Sequence, residues 1–172
     1  GAREYSRELN PETDAANADL TAAMLRTNRF KMGKYGVDPG RLAHVVSIAS
    51  YIKLLADSNL ITMDKYGPNA TVVTGELARV DGSPVIVSEY QRDNLNATGV
   101  YDGVTTNRSV ALTVHRSGFL VGNRRGITLQ VLKEIYAEAD QDALVATVRK
   151  AFSALFPTTQ GIVAATYNLK AV

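Results

Sequence analysis

The sequence contains no cysteine. This excludes a disulfide framework, a thiolate nucleophile and cysteine-ligated zinc or iron–sulfur centres, and redox chemistry does not mark the compartment. No apolar run approaches the roughly 18 residues of a membrane-spanning helix, so no membrane partner is expected. The opening "GAREYSRELNPETD" lacks the apolar segment of a signal peptide or anchor. There are only two histidines. His44 sits in an apolar strand and His115 on the less apolar face of another; neither has a partner at a ligand spacing such as H-x-x-x-H, and both read as structural. The phosphate-cradling patterns G-x-x-x-x-G-K-[ST] and G-x-G-x-x-G are missing. So is the nucleophile elbow G-x-S-x-G, whose nearest text, "VDGSPV", is a hairpin turn. No concentrated basic face is present either: 19 Lys and Arg against 17 Asp and Glu give a formal net charge of +2. The positive residues are scattered, which disfavours a nucleic-acid-binding module.

At 172 residues, 45% hydrophobic and 21% charged, the chain has the composition of an ordinary globular protein. Its length suits one domain with a sizeable core, or two small subdomains. Asn10-Pro11-Glu12 predicts a helix start. Leu20, Ala23, Met24 and Thr27 follow helical spacing, and Gly33 and Gly36 close the helix. Asp38-Pro39-Gly40 is a break. "LAHVVSI" predicts a strand over 42–48 that runs into a helix capped by Ser47, with Ile48, Ile52 and Leu55 on one face and an end at Asp57-Ser58-Asn59. From Val72 to Val87 the pattern is β, turned at Asp81-Gly82, a pair suited to a type I′ hairpin because glycine accepts positive φ. Pro84 fits the start of the returning strand.

Asp93 to Arg108 is a long polar loop by composition. In "SVALTVH", Val110, Leu112 and Val114 alternate with Ala111, Thr113 and His115. Turns are predicted at Arg116-Ser117-Gly118 and at Gly122-Asn123, with β structure through Ile127, Leu129 and Val131. "DALVATVRKAFSALF" satisfies a helical stripe and a long strand equally well. Pro157 ends it, and "GIVAATYNL" is a closing strand.

Chemistry-bearing groups are few. Glu134, Glu138, Asp140 and Asp142 could do acid–base work or hold a divalent cation, but a charge run at an element's end reads first as a solvated edge. Arg124-Arg125, in a glycine-flanked turn, could hold a phosphate or a partner's carboxylate, with a surface ion pair the plainer reading. Asn69-Ala70-Thr71, Asn96-Ala97-Thr98 and Asn107-Arg108-Ser109 match the glycosylation sequon by chance in asparagine-rich loops. A chain rich in strands and polar loops but without such chemistry suits a structural or assembly role.

The order "HVVSIASYIKLLAD", "TGELARVDGSPVIVSEY", a long loop, "NRSVALTVHRSGFLVGNRRGITLQV" and "DALVATVRKAFSALFP" resembles the C-terminal portion of tailed-phage major capsid proteins of the Hong Kong 97 type, from Asp14 onward. The resemblance implies an α+β fold: a mixed β-sheet axial domain with flanking helices, plus part of the peripheral domain. The family's N-terminal arm, extended loop and spine helix are expected to lie outside this sequence. It further implies a peripheral-like helical segment at 1–40, an axial-like region at 41–130, a long peripheral connection or strand at 131–157 and a closing strand at 158–172. Residues 144–152 are then strand, not helix.

The implied function is a structural subunit of an icosahedral phage or prophage capsid that self-assembles around packaged double-stranded DNA, is made in the host cytoplasm and resides in the virion. Its partners would be other copies of the same chain, with no sequence-specific nucleic acid, no small-molecule substrate, no cofactor and no metal. The lysine of the isopeptide cross-link found in some members lies in the extended loop, so no catalytic residue carries over. Expected subunit contacts are Asp93, Asn96, Tyr101, Asp102, Arg108, Arg124 and Arg125. The alternatives are an encapsulin-like nanocompartment shell and, from another class, a small enzyme built on the four carboxylates.

Overall fold

The β-branched runs pair into a six-stranded mixed sheet, and two further strands pair with each other as a long hairpin. The computed structural model describes residues 12–57, 79–136, 141–156 and 161–171. In chain order the elements are β1 (Glu12–Asp14), α1 (Ala22–Lys31), β2 (Leu42–Val46), α2 (Ile48–Leu55), β3 (Arg79–Val80), β4 (Ser83–Val87), β5 (Arg108–His115), β6 (Phe119–Tyr136), β7 (Gln141–Ala154) and β8 (Val163–Lys170). The sheet order is β1-β8-β5-β2-β4-β3. β1–β8 and β2–β4 are parallel pairs; β5–β8, β2–β5 and β3–β4 are antiparallel. The chain divides into two compact units, one running to Gly118 and resuming at Phe156, the other Phe119–Leu155.

Alternation along the central strands gives the sheet two apolar faces. Val46, Val85, Ala111 and Leu169 pack with Leu20, Ala22, Leu25 and Leu54 from the helical side. Val110, Leu112 and Ala165 form a second cluster with Leu95. The expected alternation in β5 is thus observed, because both its faces are covered. Polar groups buried on the helical side pair with one another: Thr166 Oγ1 donates to Asn28 Oδ1 at 2.9 Å, and His44 Nδ1 shares a 2.9 Å hydrogen bond with Thr113 Oγ1.

The Asp81-Gly82 turn has φ of 48° and 84° at its two residues, as a type I′ hairpin requires. Arg26 clamps it, with Nε and Nη2 donating to the two Asp81 carboxylate oxygens at 2.6 and 3.0 Å, which holds that carboxyl below its ordinary range. Valine cannot adopt the φ of Gly82 without strain. Gly82→Val is therefore expected to destabilise the domain by about 1–3 kcal/mol. Thermal unfolding checks this, and an unchanged melting temperature would contradict the turn assignment. Ser47 caps α2 as expected, accepting from Ser50 N–H, and the β8 strand lies where "GIVAATYNL" predicts it.

Three expectations are corrected. Glu12 does not begin a helix: it pairs with Ala165 in β1, and Asn10 and Pro11 lie outside the described residues. α1 starts at Ala22, whose N–H donates to Asp57 Oδ2 at 2.9 Å, a cap supplied from 35 residues away. Its buried positions are Ala22, Leu25 and Asn28, while Ala23 and Thr27 face outward. In α2, Ile48, Ile52 and Leu55 share one face as expected, and that face is the exposed one, with Ser50 and Leu54 buried. Gly122-Asn123 is not a turn. It lies inside the 18-residue strand β6, where Gly122 pairs with Ala151 of β7, so Arg124 and Arg125 are strand residues. The strand expected over 144–152 is present as β7. Residues 72–78, the sequon at Asn69 and the terminator Pro157 fall outside the described residues.

Candidate functional site

The segment after β4 was legible as a loop, and its internal bonding makes it a shaped surface. Leu95 anchors it: its N–H donates to Arg108 O at 2.9 Å, Arg108 N–H donates to Leu95 O at 3.1 Å, and its side chain is buried against Val110 and Leu112. Asn96 organises the next turn. Its Oδ1 accepts from Thr98 N–H (3.0 Å), Thr98 Oγ1 (2.7 Å) and Val100 N–H (2.9 Å), and its Nδ2 donates to Asp102 Oδ2 at 3.1 Å. Asp102 in turn accepts from Val104 N–H and Thr105 N–H at 2.9 and 2.8 Å. Those backbone donors, Thr105 first, favour the ionised form and lower the Asp102 pKa. Gly99 and Gly103 take positive φ, closing both turns at no side-chain cost.

What this framework presents outward is partly apolar. Tyr101 is 52% exposed and Val104 87%. The Arg92 guanidinium lies 4.5 Å from the Tyr101 ring centroid. Arg92 was missed in the sequence, since nothing local marks it as Tyr101's partner. Asp93 is exposed on a shallow recess with Ser47, Ile48, Glu89 and Arg92.

Arg108 is committed inward. Its Nε donates to Asn168 Oδ1 at 3.0 Å, and Asn168 Nδ2 donates to Asp14 Oδ1 at 2.8 Å. Asn168 has φ 58° at the register shift between β5 and β8. The bulge and its lock were also missed, although asparagine's tolerance of the left-handed region is the one available signal. Of the seven expected contacts, then, Asp93, Asn96, Tyr101 and Asp102 share one loop and Arg108 forms its inner hinge. Arg124 and Arg125 belong to the other unit.

Asn96→Ala removes the acceptor that holds the first turn. Amide exchange at Thr98 and Val100 is expected to accelerate, while global stability falls by only about 1 kcal/mol, since the bonds are solvent-facing. Hydrogen-exchange mass spectrometry checks this; unchanged protection would mean that the loop is held by something else.

Among the described residues, the remaining buried polar groups bond mainly to one another. Ser47, Ser50 and Ser109 bond to one another at 2.9–3.3 Å, while the His44 imidazole bonds Thr113. His115 sets its ring edge to face against Tyr35, centroids 5.4 Å apart. Among the described residues no three His, Asp or Glu gather as a metal-ligand set. Glu138, Asp140 and the side chains of Glu134 and Asp142 lie outside the described residues.

No family model matches the chain. It is 27% identical over 167 residues to the major capsid protein of Escherichia phage T5, an alignment covering 96% of this chain and 33% of that protein. The chain thus spans about a third of the relative's length. Among solved structures, the capsid of cyanophage P-SCSP1u superposes with a TM-score of 0.62 at 15% identity, covering 94% of this chain and 53% of that one. A chain of Mycobacterium phage Che8 gives 0.61 at 17%, covering 96% and 56%. The holo-SrpI encapsulin complex of Synechococcus elongatus gives 0.61 at 16%, covering 95% and 54%. The fold is the Hong Kong 97-type capsid fold, α+β with a mixed sheet.

Proposed function

We propose that this chain is part of a structural subunit of a tailed-phage capsid, a shell built from many copies of one protein around packaged double-stranded DNA and located in the virion. The observation that carries the reading is the coincidence of two likenesses: sequence similarity to a phage major capsid protein along 96% of the chain, and the fold itself. In this reading the six-stranded unit is assigned to the axial part and the β6–β7 hairpin to the peripheral part, which replaces the boundaries expected at residues 40 and 130 with the packing divisions at Gly118 and Phe156. The Asn96–Asp102 loop is a contact surface between copies, and Arg108 keeps its base in place. A near-neutral charge fits a wall around DNA, since each added phosphate contact would strengthen sequence-independent binding.

The encapsulin likeness supports a second reading, a shell without a genome. Isolating particles of the gene product that contains this sequence separates the two. Nuclease-protected duplex DNA inside supports the phage capsid. Particles filled with protein cargo and free of DNA support the nanocompartment, and no particle under any assembly condition contradicts both. Chelator is expected to leave the melting curve unmoved, and a boiled denaturing gel to show one monomer band. A ladder of oligomers would reveal a covalent cross-link that this account does not contain.

A further inference from the structure

The β6–β7 hairpin concentrates like charge where two strands would normally avoid it. Asn123 pairs with Lys150 and Arg125 with Arg149, and a register shift between Asn123 and Arg125 adds Arg124 to the same short stretch. Four cations thus occupy two neighbouring rungs, with an Arg directly opposite an Arg, an arrangement that destabilises a strand pair. All four are exposed, and none has an ion-pair partner among the described residues. Arg124, Arg149 and Lys150 line a recess together with Gly122, Asn123, Val148 and Ala151. The small pair Gly122 and Ala151 opens the space, and the guanidinium forks present donors suited to a carboxylate. Val121 and Phe152, 66% and 58% exposed, add apolar surface on neighbouring rungs.

The same hairpin is acidic toward its other end. Residues 134–142 contain Glu134, Glu138, Asp140 and Asp142 and no basic residue. From Arg125 to Tyr136, where β6 ends, the strand runs roughly 35 Å at about 3.3 Å per residue, several times the Debye length of about 8 Å at physiological salt.

We infer that the basic recess of Arg124, Arg149 and Lys150, with Arg125 on the adjoining rung, docks the acidic 134–142 segment of a second copy of this chain. Such a contact is heterologous, one end of a copy against the middle of the next, and a closed ring of copies satisfies every recess. The apolar rungs beside the cations favour a protein partner, since a phosphate backbone offers them nothing to cover. The inference rests on the multi-copy shell reading and adds which segments meet.

The test mixes isotope-labelled and unlabelled chain, applies a zero-length carbodiimide cross-linker and maps the products by mass spectrometry. A mixed-isotope link between Lys150 and the 134–142 peptide is expected. In sedimentation at low salt, Arg124→Glu/Arg149→Glu/Lys150→Glu and, separately, Glu134→Lys/Glu138→Lys/Asp140→Lys should each weaken self-association by about tenfold or more. Combining both sets in one chain should restore it, which a folding defect would not do. If the unaltered chain associates, yet cross-links elsewhere and ignores the reversals, this docking is wrong while the shell reading stands. If no copies associate under any condition, both fall. Saturable binding of duplex DNA, abolished by the basic-to-acidic set, would assign the recess to phosphate instead and overturn the inference.

Discussion

Leu54→Ala is expected to cost about 2–5 kcal/mol, the usual range for emptying a fully buried leucine site. Leu54 has no exposed surface and joins α2 to Leu20, Leu25 and Val46 in the main cluster. At about 2–4 °C of melting temperature per kcal/mol for a chain of this size, the shift is large enough for a single thermal scan. Ile52→Ala on the same helix is the control. Ile52 is 61% exposed, so its loss should stay within about 0.5 kcal/mol. Equal effects at the two positions would mean that α2 is rotated from the orientation described.

The second large effect is acid destabilisation through His44. Burial is the main reason its pKa falls from 6.5 to about 4; the Asp81 carboxylate opposes the shift and the Arg29 guanidinium adds to it. Because the folded pKa lies below the unfolded one, the unfolded chain binds the extra proton between pH 6.5 and 4. Stability is therefore full above pH 6.5, declines as pH falls through that window, and has lost the whole contribution below about 4. A shift of this size corresponds to something on the order of 3 kcal/mol. Urea unfolding at a series of pH values measures it. His44→Leu combined with Thr113→Val removes both hydrogen-bonding partners, and the slope between pH 6.5 and 4 should flatten. A slope unchanged in that variant would move the effect to other groups.

Signals that act within a few residues were legible in the sequence: the Asp81-Gly82 turn, the Ser47 cap, the alternation in β5 and the loop after β4. Signals that depend on distant partners were not. The start of α1 is set by Asp57, 35 residues away, so the local Asn-Pro-Glu pattern pointed to the wrong place. In α2 the more hydrophobic face is the exposed one, because the sheet accepts Ser50 into a hydroxyl cluster with Ser47 and Ser109. Gly122 does not turn the chain because Ala151 of β7 pairs with it. β7 itself could not be decided by periodicity, since its apolar residues suit a helix as well, and only the family resemblance favoured strand. For the site, composition located the loop, but the pairing of Arg92 with Tyr101 and the lock of Arg108 on Asn168 are tertiary facts with no local spacing.

Whether this chain forms the wall of a shell is decided by cryo-electron microscopy of the gene product that contains this sequence, under assembly conditions. Closed shells of many copies are expected, in which density for the six-stranded unit repeats around the symmetry axes and the Asn96–Asp102 loop lies against a neighbouring copy. A monodisperse, unassembled protein under every condition, or shells whose walls do not contain this chain, would contradict the shell reading.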